Sequence, residues 1–453
     1  MASKTTVYYV CTNCGAQSTK WYGRCPECGE WNTLQEEQTE RKAVSKKASS
    51  HSASAKTVSL DEVSYDSDIR YSTGIEEFDR VLGGGIVGGS VILLGGEPGA
   101  GKSTLLLQIC GNVCDNARVL YVSGEESSSQ IKIRAKRLGV GTPNLLIANE
   151  TDITSVINTV REHRPDLCII DSIQTMEVDG IPSSAGSVAQ VRESASALTK
   201  CAKADGIPFI IVGHVNKDGA IAGPKVMEHI VDTVLYLEGD RYLALRILRS
   251  AKNRYGSTNE IGMFDMTDKG LFGIANPSML LLDGASSDAP GSCVTCAMEG
   301  TRPIMAEIQA LTTKSSFSVP RRTADGLDFN RANLLIAVLE KRGGYMLSAL
   351  DVYLNVIGGL NIGDTASDLA VAASIVSSLL DKTIPAGTVV FGEIGLGGEI
   401  RTVTDAVKRV SEAEKLGFTR CVLPAGSLKK MDATQYSMEL IGISNIKDIK
   451  KVF

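Results

Sequence analysis

The stretch Gly96-Glu97-Pro98-Gly99-Ala100-Gly101-Lys102-Ser103-Thr104 constrains the fold of this chain more than any other feature, because of what flanks it. The apolar run Ser90 to Leu94 precedes it and the helical run LLLQIC follows it, so the order is strand, glycine-rich loop, helix. In that context the glycines free backbone N–H groups to cradle phosphates. Lys102 reaches the β- and γ-phosphates and the Ser103 hydroxyl serves Mg²⁺. ATP with Mg²⁺ is therefore the expected substrate complex, held by Gly96 through Thr104. Three further apolar runs, Arg118 to Val122, Leu167 to Asp171 and Pro208 to Val212, are each bounded by Gly, Asp, Pro or Ser. They read as buried parallel strands, with helical patterns between them. The fold class is α/β.

Chemistry gathers at the ends of those strands. Leu167-Cys-Ile-Ile-Asp171 is an apolar strand ending in an acid, which sets the Asp171 carboxylate beside the phosphate loop for the Mg²⁺ shell. Glu125 and Glu126 follow Val119 to Val122, where one of them can polarise the water that attacks the γ-phosphate; a solvated acidic turn is the alternative. His214 follows the strand Pro208 to Val212, where a polar group can respond to the γ-phosphate.

Ahead of this body, Cys11-x2-Cys14 and Cys25-x2-Cys28 offer four thiolates, each pair followed at once by a glycine. That is the spacing of a closed tetrahedral Zn²⁺ site, and a segment of 35 residues has too little core to fold without such a staple. Trp21 and Trp31 are expected to pack around the metal. Residues 36–59 are rich in Ser, Ala and Lys with almost no large apolar side chains, and read as a linker. The expected domains are thus 1–35 (zinc), 36–59 (linker), 60–275 (ATPase) and 276–453. The last begins where the pattern changes to hairpin-like segments, Val389 to Ile394 with Glu399 to Val403, joining helices near Asn330–Arg342 and Thr365–Leu380. Cys293-x2-Cys296 has no second pair nearby and reads as structural.

With 453 residues, 43% of them hydrophobic and 22% charged, the chain can bury a large core and is not of disordered composition. No apolar run approaches the ~18 residues that span a bilayer, and the N-terminal residues lack a secretory h-region, so no membrane span and a cytoplasmic location are expected. The net charge is -5, yet residues 1–60 hold 8 Lys/Arg against 5 Asp/Glu. Any DNA contact must come from local basic loops rather than from bulk charge.

The motif at Gly96–Thr104, the lead-in Ser72-Thr-Gly-Ile-Glu-Glu-Phe-Asp and Leu82-Gly-Gly-Gly resemble a RecA-type ATPase core of the KaiC and DnaB kind. With the cysteine head, the KNRYG run Lys252 to Gly256 and the final third of the chain, the resemblance narrows to the bacterial RadA (Sms) family of recombination and repair ATPases. It covers essentially the whole length. The C-terminal segment is similar to the Lon protease domain in DVYLNVIGG, GDTAS and VVFGEIGLGGEIR. The resemblance implies a RecA-like P-loop core between a four-Cys zinc finger and a Lon-like α+β domain. It also implies a hexameric, DnaB-like motor that loads on single-stranded DNA and drives branch migration on branched DNA with the RecA recombinase in homologous recombination.

Within that resemblance, Lys252 and Arg254 lie two apart and would point the same way on extended backbone, as trans fingers that reach a neighbouring subunit's ATP. Asp179 to Arg192 and Asn216 to Lys225 occupy the places of DNA loops, with Arg192, Lys217 and Lys225 as candidate phosphate contacts. The rival readings are an ATP-dependent Lon-like protease and a KaiC-like regulatory ATPase. Against the first, Ser367 stands opposite Lon's nucleophile but Val407 stands opposite its lysine base, and Lys408 is about 100° further around the helix. Protease activity is not expected. Ser367 then reads as a helix-start residue, and the domain as an assembly and DNA platform presenting Lys341, Arg342, Arg401 and Lys408.

Overall fold

The computed structural model describes residues 5–11, 17–26, 29–40, 59, 70–141, 143–181, 183–214, 224–239, 244–282, 284 and 289–453. The chain divides into two compact units, Met1–Gly273 and Ile274–Phe453.

The first unit opens with a small antiparallel sheet of β1 (Thr5–Cys11), β2 (Gln17–Ser18) and β3 (Leu34–Glu40), in the order β2-β1-β3. Cys11 and Cys25 are both buried there and cluster with Leu34, whereas Cys14 and Cys28 lie outside the described residues. The expectation for the tryptophans is corrected: Trp21 is 56% exposed and Trp31 68%. They flank Gly23 at the surface, with the Arg24 guanidinium 6.0 Å from the Trp31 ring, because the buried space of this head is taken by thiols and Leu34.

The body continues through β4 (Arg70–Tyr71), α1 (Glu76–Leu82), β5 (Ile86–Val87), β6 (Val91–Gly96), α2 (Lys102–Val113), β7 (Val119–Ser123), α3 (Ser128–Arg137), β8 (Leu145–Asn149), α4 (Ile153–His163), β9 (Leu167–Asp171), α5 (Val188–Asp205) and β10 (Phe209–His214). It ends with α6 (Pro224–Ile230), β11 (Thr233–Glu238), β12 (Leu245–Asn253), β13 (Ile261–Thr267) and β14 (Gly270–Gly273). Among the described residues β6 to β14 form one nine-stranded sheet, β14-β13-β12-β11-β6-β10-β9-β7-β8, while β4 and β5 pair with each other apart from it. It is parallel from β11 to β8 and antiparallel from β11 to β14.

The expected strands all form, and their unbroken apolar runs have the reason anticipated: both faces are covered. Ile92 and Leu94 pack with Leu105, Leu106 and Ile109 of α2. Val91 and Leu93 pack on the other side with α4, α5 and α6 through Val156, Leu198 and Met227. Each such side chain contributes roughly 2 kcal/mol by leaving water. Helix starts follow local chemistry. Ser127 and Gln130 form a capping box on α3, Asp152 caps α4 through Thr154 and Ser155, and Ser187 caps α5.

The second unit holds α7 (Pro277–Leu281), β15 (Ser292–Glu299), β16 (Arg302–Lys314), β17 (Arg322–Asp325), α8 (Phe329–Val338), β18 (Leu350–Val356), α9 (Asp368–Leu380), β19 (Thr388–Val390), β20 (Glu393–Ile394), β21 (Ile400–Arg401), α10 (Ala406–Lys415), β22 (Arg420–Pro424), α11 (Ala425–Leu428) and β23 (Glu439–Ile443). Its main sheet runs β17-β18-β16-β15-β19-β22-β23. The hairpin expected from Val389 to Val403 is only partly formed. β19 joins the large sheet in parallel with β15 and β22, and the antiparallel pairing is confined to β20 and β21. No helix among the described residues is long and apolar enough to cross a membrane.

The sequence holds two tryptophans. Since both are exposed, intrinsic emission should be red-shifted, as for a solvated indole, and should change little when the core unfolds. A blue-shifted emission from the folded protein would contradict the placement. Trp31→Ala should move stability by no more than about 0.5 kcal/mol, as surface substitutions do.

Candidate nucleotide site and its surroundings

β6 ends in the phosphate loop, and α2 begins at Lys102 with its N-terminus toward that loop. Gly101 turns the chain at φ +105, where a Cβ would also meet Leu271 at 2.9 Å, so glycine is required twice over. Lys102 is only 4% exposed, and its ammonium donates to the carbonyls of Gly96 (2.7 Å) and Glu97 (3.0 Å). Burial holds its pKa below the usual lysine value, against the opposing pull of Asp171 and Glu125. Asp171 closes β9, buried, and accepts from the phenol of Tyr121 at 2.5 Å. Arg246 of β12, also buried, donates to the Ala100 carbonyl at 3.3 Å and so braces the loop from a strand far along the chain. Sequence reasoning missed Tyr121 and Arg246, because nothing local marks a long-range partner.

The two acids after β7 separate. Glu125 Oε1 accepts from Ser172 Oγ at 2.5 Å and lies 3.2 Å from His214 Nε2. Its pKa falls to about 2, chiefly through the His214 bond, then Ser172, with Lys102 adding a smaller pull. Glu126 instead pairs with Arg134 of α3. The structure thus brings Lys102, Asp171, Glu125 and His214 together at the carboxyl ends of adjacent parallel strands, and it ties Glu126 elsewhere. A side chain at Gly124 would collide with Thr175, which fixes the close approach that aims Glu125.

Lys252 and Arg254 are not at this cluster. Lys252 Nζ donates to the carbonyls of Glu228 (2.6 Å) and Val231 (2.8 Å), and burial, with Arg254 next in weight, lowers its pKa. Arg254 Nη1 pairs with Asp232 at 2.9 Å. Asp232 Oδ2 also accepts from the backbone N–H of Val91, the first residue of β6. The phosphate loop follows the last residue of the same strand, five steps or ~17 Å away at ~3.3 Å per residue. The two cations therefore stand at the amino end of β6, opposite the end that carries the phosphate loop. Among the basic residues of the two loop segments, Arg192 is half exposed beside Glu193. Lys217 lies outside the described residues, as does the side chain of Lys225.

In the second unit, Ser367 sits just before α9, 4% exposed, and donates to the Asp364 carbonyl at 2.8 Å. Val407 is 52% exposed, and Lys408 pairs with Asp405 at 3.1 Å. Ser367 has no lysine partner. Arg409 is fully buried, pairs with the Asp364 carboxylate at 2.7 Å and donates to the Thr404 carbonyl at 3.0 Å. Asp368 is held by Arg331. A pocket of about 240 Å³ beside these groups is lined on its polar side by Asp328, Arg331, Asp364, Thr365, Ser367 and Asp368, and otherwise by apolar residues. Lys341 and Arg342 are exposed, and Arg401 pairs with Glu399.

Comparison with known proteins agrees with this architecture. Residues 9–36 match the rubredoxin metal binding domain, residues 60–220 the AAA domain, and residues 337–427 the family of subunit ChlI of Mg-chelatase. The DNA repair protein RadA of Bacillus subtilis (strain 168) is 47% identical over 450 residues, 98% of each chain. RadA of Halalkalibacterium halodurans is 49% identical over 455 residues, covering 100% of this chain and 99% of that one. RadA of Escherichia coli (strain K12) is 45% identical, with the same coverage.

The depressed pKa of Glu125 has a sign that can be measured. A carboxyl whose folded pKa lies below its unfolded value of ~4.3 adds stability above that value, and loses it as pH falls through about 2. His214→Ala removes the largest cause, so acid unfolding followed by circular dichroism should begin at higher pH than in the wild type. An unchanged acid limb would show that the His214 bond does not hold Glu125 ionised.

Proposed function

This chain belongs to the RadA family of DNA repair proteins, and from that premise we propose that it is an ATP-hydrolysing motor acting on single-stranded and branched DNA in homologous recombination. The observation that carries the reading is the cluster of Lys102, Asp171 and Glu125 around the phosphate loop, with Lys252 and Arg254 at the opposite, amino end of the same strands.

Gly96 through Thr104 would hold the triphosphate, with loop N–H groups and the α2 N-terminus facing it. Lys102 would exchange its two carbonyls for phosphate oxygens, regaining charge compensation for a buried ammonium. Ser103 and Asp171 would serve Mg²⁺, which when bound offsets the charge that develops on the phosphate oxygens. Tyr121 fixes the Asp171 carboxylate by donating to it. Glu125, ionised and beside Lys102, is the group placed to orient and deprotonate the attacking water; Glu126 serves to anchor α3 through Arg134. Lys252 and Arg254 would meet the ATP of an adjacent copy, which makes a closed ring, a hexamer by resemblance, the natural assembly. DNA would be gripped through phosphates by sparse cations such as Arg192, giving affinity that falls with salt and no base reading.

Cys11 and Cys25, buried together, fit half of a four-thiolate Zn²⁺ set that Cys14 and Cys28 complete in sequence. The ion would act as a staple. The Lon-like unit would act without peptide hydrolysis, since the Ser367 hydroxyl is bonded to a carbonyl and a buried Arg409–Asp364 pair occupies the neighbourhood. Partnership with the RecA recombinase is part of the proposal.

The test is ATP turnover with and without single-stranded DNA. Wild type should be stimulated. Glu125→Gln should lose ~10²- to 10⁴-fold in kcat, the usual worth of a general base, while still binding nucleotide. Glu126→Gln should stay within ~3-fold, as expected for loss of a partly exposed ion pair. Turnover indifferent to DNA would point instead to a regulatory ATPase, and equal losses in the two variants would remove Glu125 from its role.

A further inference from the structure

The ladder between β9 and β10 stops at Ile170 and Ile211, but β10 runs on beside β6 to His214. The ends of β9 and β10 thus diverge, and one atom clips them: Glu125 Oε1, bonded to Ser172 after β9 and to His214 at the end of β10. Two residues beyond Ser172, the side chain of Gln174 lies within this split. Its Nε2 is 3.9 Å from where a Cβ on Gly213 would stand, in company with Leu93 and Met227. Both polar atoms of that amide are buried and have no hydrogen-bond partner among the described residues, and the same holds for His214 Nδ1. A buried amide with nothing to bond is costly enough that native structures seldom keep one without a second arrangement that satisfies it. Gln174 also touches the next segment, since its carbonyl lies 3.4 Å from a Cβ built on Gly186. That segment is stapled from behind by Gln190, which accepts from Val178 N (2.8 Å) and donates to the Ser183 carbonyl (3.0 Å).

We propose that Gln174 is a positioning residue that couples the Glu125 clip to the segment 183–192. The inference rests on the nucleotide-site reading above. When Glu125 turns toward the attacking water it releases Ser172 and His214 together. The freed end of β10 then offers backbone groups that β9 does not pair, and the Gln174 amide bonds to them. Successive strand residues face opposite sides. Gln174 therefore acts on the strand end at Gly213, not on the imidazole that faces Glu125. The pull of the amide turns the short helix Ile173–Thr175 on which Gln174 sits, and with it the backbone carbonyl that faces Gly186.

The experiment is amide hydrogen exchange of the full-length protein with and without ATPγS and Mg²⁺, for wild type and Gln174→Leu, with ATPγS affinity measured in parallel. In wild type, exchange across residues 183–192 should change ~5-fold or more on binding, the usual range of coupling between sites. In Gln174→Leu the affinity should stay within ~3-fold and the change across 183–192 should vanish. The melting temperature should hold or rise, because the apolar side chain replaces an unsatisfied one. A purely structural role would lower the melting temperature and leave the response intact. Gln174→Met provides the same comparison if the leucine protein does not fold. A variant that responds as wild type does overturns the proposal, and so does a wild type that binds ATPγS with no change across 183–192. Failure of the wild type to bind ATPγS at all overturns the nucleotide-site reading, and the coupling with it.

Discussion

Asp232 is 1% exposed, and a carboxylate so deeply placed is tolerable only if its oxygens are answered. They are, by the Val91 N–H at the start of β6, by Arg254, and by Lys203 of α5 at 3.6 Å. This one group ties the first residue of the phosphate-loop strand to the basic KNRYG run and to the helix behind the sheet. It thereby sets the polarity on which the functional account depends: nucleotide chemistry at the carboxyl end of β6, cations at the amino end. Asp232 is the buried member of this arrangement and its two cations are about half exposed, so removing Asp232 would leave a gap in the β6 start while removing one cation would cost less; the separation rests on strand positions and does not depend on loop conformation.

At the other end of the strand the same economy of partners recurs with a different result. Glu125 is held by two bonds at a position 40% open to solvent, where a water and a phosphate can take their place. Arg409 and Asp364 in the second unit are the contrast. The arginine is fully buried and its pairing supports the turn that carries Ser367, whose hydroxyl is bonded to the Asp364 carbonyl and, among the described residues, to no lysine. One unit keeps its ionisable groups adjustable. The other commits them to structure.

Much of this was legible in the sequence because the signals were local. The apolar runs Ser90 to Leu94, Leu167 to Asp171 and Pro208 to Val212 match β6, β9 and β10 to within two residues at each end, and Cys11 with Cys25 came together as their spacing implied. What stayed hidden was set by partners far along the chain. Nothing near residue 125 separates Glu125 from Glu126; the distinction comes from His214, 89 positions away, and from Arg134 nearly two turns into α3. Arg246 reaches Ala100 across 146 positions, from a strand, β12, that no motif announces. Trp21 and Trp31 were expected inside the head because small folds need aromatic core, but the thiol cluster fills that space.

The central claim is that the active site is shared: Lys102 and Glu125 from one copy, Lys252 and Arg254 from the next. Mixing two variants that are each inactive, Lys102→Ala and Arg254→Ala, tests it most directly. Mixed rings contain interfaces with an intact phosphate loop on one side and intact cations on the other, so DNA-stimulated ATP hydrolysis should reappear on mixing and peak near equal proportions. If mixed assemblies are shown to form by mass measurement and turnover stays at the level of the separate variants, the site is complete within one chain and the account is wrong.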